Sequence, residues 1–221
     1  MNQSKLACLK QCWSIHWQLS AYKKLFIVGI IFLASILVTL PYFFQAIERR
    51  EGILINDWLL AILPAYDVSI PIFTLIWGTT ILLLIRAMQN PAICITFLWS
   101  YILVQLLRLI TIALVPLEAP RGLIELVDPI SNQFYGGEFL TKDLFYSGHM
   151  ATSFLMFLCF VKKNDRAVSL CATIVLGVLL LIQHVHYTLD VLAAPIFSYI
   201  IWRLVEKKMN RVLYADNLIS V

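Results

Sequence analysis

Residues 25–46 read LFIVGIIFLASILVTLPYFFQA, a run with no Asp, Glu, Lys, Arg or His. At 1.5 Å per residue, a helix of this length reaches about 33 Å, enough to cross the ~30 Å hydrocarbon core of a bilayer. The run is too long for the apolar centre of a cleavable signal peptide, so it is expected to stay in the protein as a span. Outward from it, further apolar runs occupy 69–88, 92–116, 147–162, 166–184 and 187–205, with Pro64, Pro71, Pro91 and Pro116 at or near their boundaries. The expected fold is all-α, a polytopic membrane bundle of six transmembrane helices. A mean hydropathy of +0.83 and only 14% charged residues exclude an ordinary soluble domain.

The flanks of these runs set the expected organisation. Residues 1–24 carry Lys5, Lys10, Lys23 and Lys24 without an acid, and Leu6, Leu9, Trp13 and Trp17 recur at helical spacing. They are expected to form a cytoplasmic amphipathic segment on the membrane surface. Residues 25–208 form the transmembrane catalytic domain and 209–221 a cytoplasmic tail. Twelve Lys/Arg fall in segments 1–24, 86–91, 161–167 and 203–221, against four (Arg49, Arg50, Arg121, Lys142) in the opposite set. That asymmetry places both termini in the cytoplasm. The acids Glu118, Glu125, Asp128, Glu138 and Asp143 gather in the loop between the third and fourth spans. The basic residues flank apolar runs and form no stripe, so nucleic acid is not an expected partner. None of the five cysteines falls in an expected outer segment, so no disulfide framework is implied.

Ionisable side chains that enter apolar segments are costly and mark candidate sites. His149 stands in Tyr146-Ser147-Gly148-His149; His186 and Asp190 stand in His184-Val185-His186-Tyr187-Thr188-Leu189-Asp190. Two spans separate the histidines, so both are expected near the same, non-cytosolic, interface. Arg108, about 16 residues into the third span and so about 24 Å along it, is expected to reach the same level.

Asp190 follows His186 by four residues, which on a helix puts both on one face. A carboxylate bonded to one imidazole nitrogen fixes the tautomer and leaves the other nitrogen as a nucleophile. His149 is placed to protonate a departing oxygen. Ser147 and Gly148 precede a helix, where free N–H groups favour an anion. Arg108 and Lys142 are candidates to bind phosphoryl oxygens. These parts suit phosphoryl transfer through a phosphohistidine. Bland readings stand beside them: Arg108 as a strut paired with an acid, Lys142 as a solvated loop residue, His184 as a structural residue. His184, His186 and Asp190 could also be read as a metal site, but residues two apart on a helix diverge, and no metal is expected.

Asp143-Leu144-Phe145-Tyr146-Ser147-Gly148-His149 resembles the Asp-x-x-x-Ser-Gly-His segment of the sphingomyelin synthase branch of the type-2 phosphatidic acid phosphatase superfamily. His184 to Ala194 is similar to that branch's His-x-His-Tyr-Thr-x-Asp-Val segment, and Arg108-Leu109-Ile110-Thr111 with Pro116 to its Arg-x-x-Thr stretch. The resemblance covers about residues 50 to 208. It implies a six-helix bundle with a lipid-accessible chamber opening to the outer leaflet, His186 as nucleophile oriented by Asp190, His149 as acid/base and Asp143 as a supporting acid. It implies no metal and no cofactor. Thr141-Lys142 replaces the synthases' Cys-Gly, the superfamily's Lys-x6-Arg-Pro motif is absent, and Leu180 stands where other branches carry an Arg.

The expected activity is cleavage of a phosphoester in a phospholipid or lipid phosphate, with a lipid alcohol (ceramide or diacylglycerol) or water as acceptor. His149, His186 and Asp190 are the expected catalytic residues; Arg108, Lys142, Asp143, Ser147, Gly148 and Tyr187 are the expected substrate-binding ones. Membrane lipids are the expected partners. The competing class is a non-enzymatic lipid-binding or transport protein with a decayed site, against which stands the survival of all three catalytic candidates.

Overall fold

The charge-free run lies within one helix of 29 residues, Ser20–Glu48. The computed structural model describes residues 3–126 and 140–218. Over these residues the elements are α1 (Gln3–Gln18), α2 (Ser20–Glu48), α3 (Trp58–Ile62), α4 (Ser69–Gln89), α5 (Pro91–Leu114), α6 (Gly148–Cys159), α7 (Lys163–Ile182) and α8 (Thr188–Leu218). Helices dominate because a backbone in hydrocarbon must satisfy its own N–H and C=O groups. Their ends follow local chemistry. Asn90 caps α5 by accepting the Ala92 N–H, and Pro91, which has no N–H to lose, opens it.

Five helices, α2, α4, α5, α7 and α8, are long and apolar enough to cross a membrane, as expected of an integral membrane protein. Residues such as Val38, Ile70, Leu114 and Leu192 leave apolar side chains exposed on their outer faces, where a bilayer would cover them. The expected fourth span, 147–162, is not a helix of spanning length. Only Gly148–Cys159 is helical there, about 18 Å of rise.

The reason is that α6 starts below the rim of the bundle. Its first residue packs on Arg108, six residues short of the end of α5 and so about 9 Å beneath it. The helix also packs against α4, α5, α7 and α8. Ala151, Leu155 and Met156 are fully or almost fully buried. Protein, not lipid, covers it. Phe160 and Lys162, each with extended backbone, lie in the short link to α7.

One end of the bundle gathers α1, the start of α2, the end of α4 and the starts of α5 and α7. There the Trp13 indole donates to the Met88 carbonyl at 2.7 Å and the Tyr22 hydroxyl to the Pro91 carbonyl at 3.2 Å. Arg86 grips Asp165 through two bonds of 2.6 and 3.0 Å, tying α4 to α7. At the opposite end, Glu48 accepts from the Thr141 and Lys142 N–H groups at 2.6 and 2.7 Å. The Arg50 guanidinium donates to the Ala113 carbonyl near the end of α5, and a single bridge pairs Ile53 with Leu117. Every functional candidate lies at this second end. Asp128 and Glu138 of the expected acidic loop lie outside the described residues. α8 runs unbroken through residues 209–218, with no break where the expected tail begins.

Candidate active site

The turn that delivers His149 is built on α5. Arg108, buried, donates from Nε to the Tyr146 carbonyl at 3.0 Å and pairs through Nη2 with Asp143. The Thr111 hydroxyl donates to the Phe145 carbonyl at 2.9 Å. The Tyr146 hydroxyl, fully buried, donates to the Val104 carbonyl at 2.9 Å. Gly148 lies close against the guanidinium: a Cβ there would sit 2.5 Å from Arg108 Cζ. The residue type is therefore set by close approach. Ser147 caps α6, its hydroxyl accepting from the Met150 N–H at 3.4 Å. Its own N–H donates to the Asp190 carbonyl at 3.2 Å, which joins the two histidine segments directly.

The second segment is a tight turn between α7 and α8. His184 adopts φ +56°, and its ring nitrogens lie 2.9 and 3.1 Å from the Arg121 and Leu63 carbonyls. It faces the surrounding loops. The Gln183 side chain donates to the Ser69 hydroxyl at 2.7 Å and the Glu125 carbonyl at 3.1 Å, and accepts from the Val68 N–H at 2.9 Å. His186 lies two residues before α8 and is not helical. Asp190, fully buried, reaches back from the third position of α8 to accept the Tyr187 N–H at 3.0 Å, as a capping acid does. The same oxygen stands 3.5 Å from His186 Nδ1. The expected pairing is thus made by a cap at a helix start, not by two residues on one helical face.

The rings of His149 and His186 stand 6.4 Å apart, centroid to centroid, at 62°, and Phe73 stands 6.5 Å from His149. His149 is half-buried and His186 buried. His186 Nδ1 and Asp190 Oδ1 have no hydrogen-bond partner among the described residues. At 3.5 Å the carboxylate is slightly too far for a full bond, and such contacts commonly tighten when a substrate is bound. One imidazole beside a buried acid, with a second imidazole 6.4 Å away, is an arrangement suited to nucleophilic attack with general acid–base assistance.

The other expected binding residues are engaged elsewhere. Lys142 donates to the Arg50 carbonyl at 2.6 Å and pairs with Glu118 at 2.9 Å. Tyr187, buried, donates to the Glu118 carbonyl at 2.9 Å and accepts from the Ile55 N–H at 3.2 Å. Arg108 and Asp143 face each other.

Two contributors carried no motif and are seen only in the fold, Glu48 and Asp57; Thr111 stood in the Arg-x-x-Thr stretch, and the fold shows what its hydroxyl holds. Asp57 caps α3 through the Leu59 and Leu60 N–H groups and also accepts from the Thr188 N–H at 2.7 Å and the Thr188 hydroxyl at 3.0 Å. Burial works to raise its pKa, but the Thr188 bonds and the two α3 N–H groups outweigh it and hold the carboxyl below the ordinary carboxylate value. Its place directly before Trp58-Leu59-Leu60 is the position that a capping Asp takes.

A cavity of about 420 Å³ opens beside this segment. Asp57, Leu60, Arg121 and Tyr187 are in its wall; His149 and His186 are not. Among the described residues no group of three or more His, Cys, Asp or Glu side chains is arranged to hold a metal ion.

A family model described as PAP2 superfamily C-terminal matches residues 142–208. The match takes in both histidine segments and supports the type-2 phosphatidic acid phosphatase superfamily. With five apolar helices, it suggests a membrane-embedded lipid phosphatase or phosphotransferase. It does not select the sphingomyelin synthase branch. No curated protein matches the chain.

Proposed function

We propose that the chain is an integral-membrane enzyme that cleaves a phosphoester of a phospholipid or lipid phosphate through a phosphohistidine at His186. Asp190 orients the ring through Nδ1–H, so that Nε2 attacks phosphorus. The bond from phosphorus to the leaving oxygen breaks as His149 gives that oxygen a proton. In the second half, a lipid hydroxyl or water loses its proton to His149 while its oxygen attacks phosphorus. The phosphorus–nitrogen bond then breaks and His186 is restored.

The observation that carries this reading is the facing pair of rings, 6.4 Å apart, with the buried Asp190 carboxylate 3.5 Å from one of them. Ser147 and Gly148, at the start of α6, are the proposed anion-facing backbone. Arg108 and Asp143 are the proposed supports of the His149 turn, and Lys142 and Tyr187, bonded to protein partners, are the proposed supports of the loops beside the site. The segment resembling the synthases favours a lipid alcohol such as ceramide or diacylglycerol as acceptor. Six crossings, with α6 as the short fourth, would put both termini in the cytoplasm and the site toward the non-cytosolic leaflet. The twelve-to-four distribution of Lys/Arg supports that orientation.

The test offers protein in lipid nanodiscs a panel of labelled phospholipids and lipid phosphates, with and without ceramide or diacylglycerol. New phospholipid identifies transfer and released phosphate identifies hydrolysis. Conversion by His186→Ala at the wild-type rate would remove the mechanism, and lipid binding without conversion by the wild type would favour the binding-protein reading.

A further inference from the structure

The turn bearing His186 is held from outside as well as from within. Of the residues around His186, Gln183 and His184 are tied to loops flanking α4 and α5, and Tyr187 to Ile55 and Glu118. The first residue of α8, Thr188, is held by Asp57 alone among these side chains, through both its N–H and its hydroxyl. Asp57 uses its other bonds to start α3. One carboxylate therefore opens two helices that lie 131 residues apart in sequence. The second of them begins two residues after His186 and carries Asp190 in its first turn.

From this convergence we infer that Asp57 is a positioning residue for the His186–Asp190 pair. It sets where α8 begins, and through Tyr187 and Thr188 it sets the distance between Asp190 and the His186 ring. The role rests on the phosphohistidine reading and acts on the nucleophile, not on the lipid. Three of the four acceptor bonds fall on Oδ1 and the fourth on Oδ2, so the bonds Asp57 makes in the fold all go to the starts of α3 and α8.

The experiment compares wild type, Asp57→Asn, Thr188→Val, Thr188→Ser and the double variant Asp57→Asn/Thr188→Val, each as full chain in nanodiscs. The probe is phosphatidic acid with radiolabelled phosphate, or the phospholipid of the panel above that the wild type converts faster. Asn keeps an oxygen for α3, where it caps as well as Asp, but turns an NH2 toward the Thr188 N–H. A displacement near 1 Å at the nucleophile lowers kcat about 10- to 100-fold, with KM within about twofold because substrate contacts remain. Thr188→Val loses less, Thr188→Ser restores turnover, and the double variant loses less than the product of the two single losses, because both weaken the same Asp57–Thr188 contact through its two bonds.

A raised KM at wild-type kcat would make Asp57 a substrate contact and overturn the inference. So would multiplicative losses in the double variant, or kcat losses that merely track a lowered melting temperature. His186→Ala is run in parallel: if it stays active, or if the wild type converts no probe, the underlying reading fails and this role falls with it. If His186→Ala is inactive and Asp57→Asn is unimpaired, only the inference falls.

Discussion

Gly148→Ala gives the sharpest structural prediction. The added Cβ would lie 2.5 Å from Arg108 Cζ, 2.8 Å from Nη1 and 2.9 Å from Nε, whereas ordinary contact begins at 3.4 Å. Restoring contact with Cζ requires about 0.9 Å of movement, the difference between 3.4 and 2.5 Å. If the guanidinium moves, its 3.0 Å bond to the Tyr146 carbonyl and its pairing with Asp143 are strained or lost. If it holds, the start of α6 moves and carries His149 with it. Overpacking of this kind costs about 1–3 kcal/mol, and a shift near 1 Å at a catalytic group costs about 100-fold in rate. Thermal unfolding and turnover of nanodisc samples would therefore show a lower melting temperature and a loss of kcat of about 10- to 100-fold. The control is Gly78→Ala in α4, where a Cβ meets nothing within 4 Å; it should be neutral or more stable by about 0.5–1 kcal/mol. Wild-type turnover and stability in Gly148→Ala would refute the close packing of Arg108 under the His149 turn.

Other outcomes follow from the same contacts. Asp190→Asn keeps an oxygen for the Tyr187 N–H but loses the charge beside His186, so kcat should fall about 10²- to 10⁴-fold while expression and melting temperature change little; equal loss of both would make Asp190 a folding residue. Asp57, whose carboxyl is held below its ordinary value, contributes stability above the unfolded carboxylate pKa of about 3.9, and that contribution is lost as pH falls through its lowered folded value. Asp57→Asn should flatten that acid limb of the stability profile, with Tyr187 and Arg121 the titratable or charged neighbours in the same cavity wall; an unchanged limb would contradict it. Arg86→Ala strands Asp165 at the far end of the bundle and should lower the melting temperature while leaving the kcat of the folded fraction unchanged, since neither residue approaches the histidines.

Most helices could be anticipated from the chain because a spanning helix must be apolar along its whole length. The runs at 69–88 and 92–116 correspond to Ser69–Gln89 and Pro91–Leu114, their shared boundary marked by Asn90 and Pro91. α6 departs because its starting depth is set by Arg108 and Tyr146, and hydropathy cannot report a helix that protein covers. The pairing of His186 with Asp190 was visible as a spacing of four, but the spacing misled about its cause. The turn before α8 breaks the helix, and Asp190 acts as a backward-reaching cap. Asp57 and Glu48 were invisible because their partners, Thr188 and the Thr141–Lys142 backbone, lie 131 and 93 or 94 residues away. Only the folded bundle brings those loops together.

The phosphohistidine is tested most directly by quenching a single turnover on phosphate-labelled lipid and following the label on the protein. The account predicts acid-labile, base-stable label on the wild type, mapped to His186, and none on His186→Ala. Acid-stable label, label at another residue, or undiminished turnover by His186→Ala would contradict it.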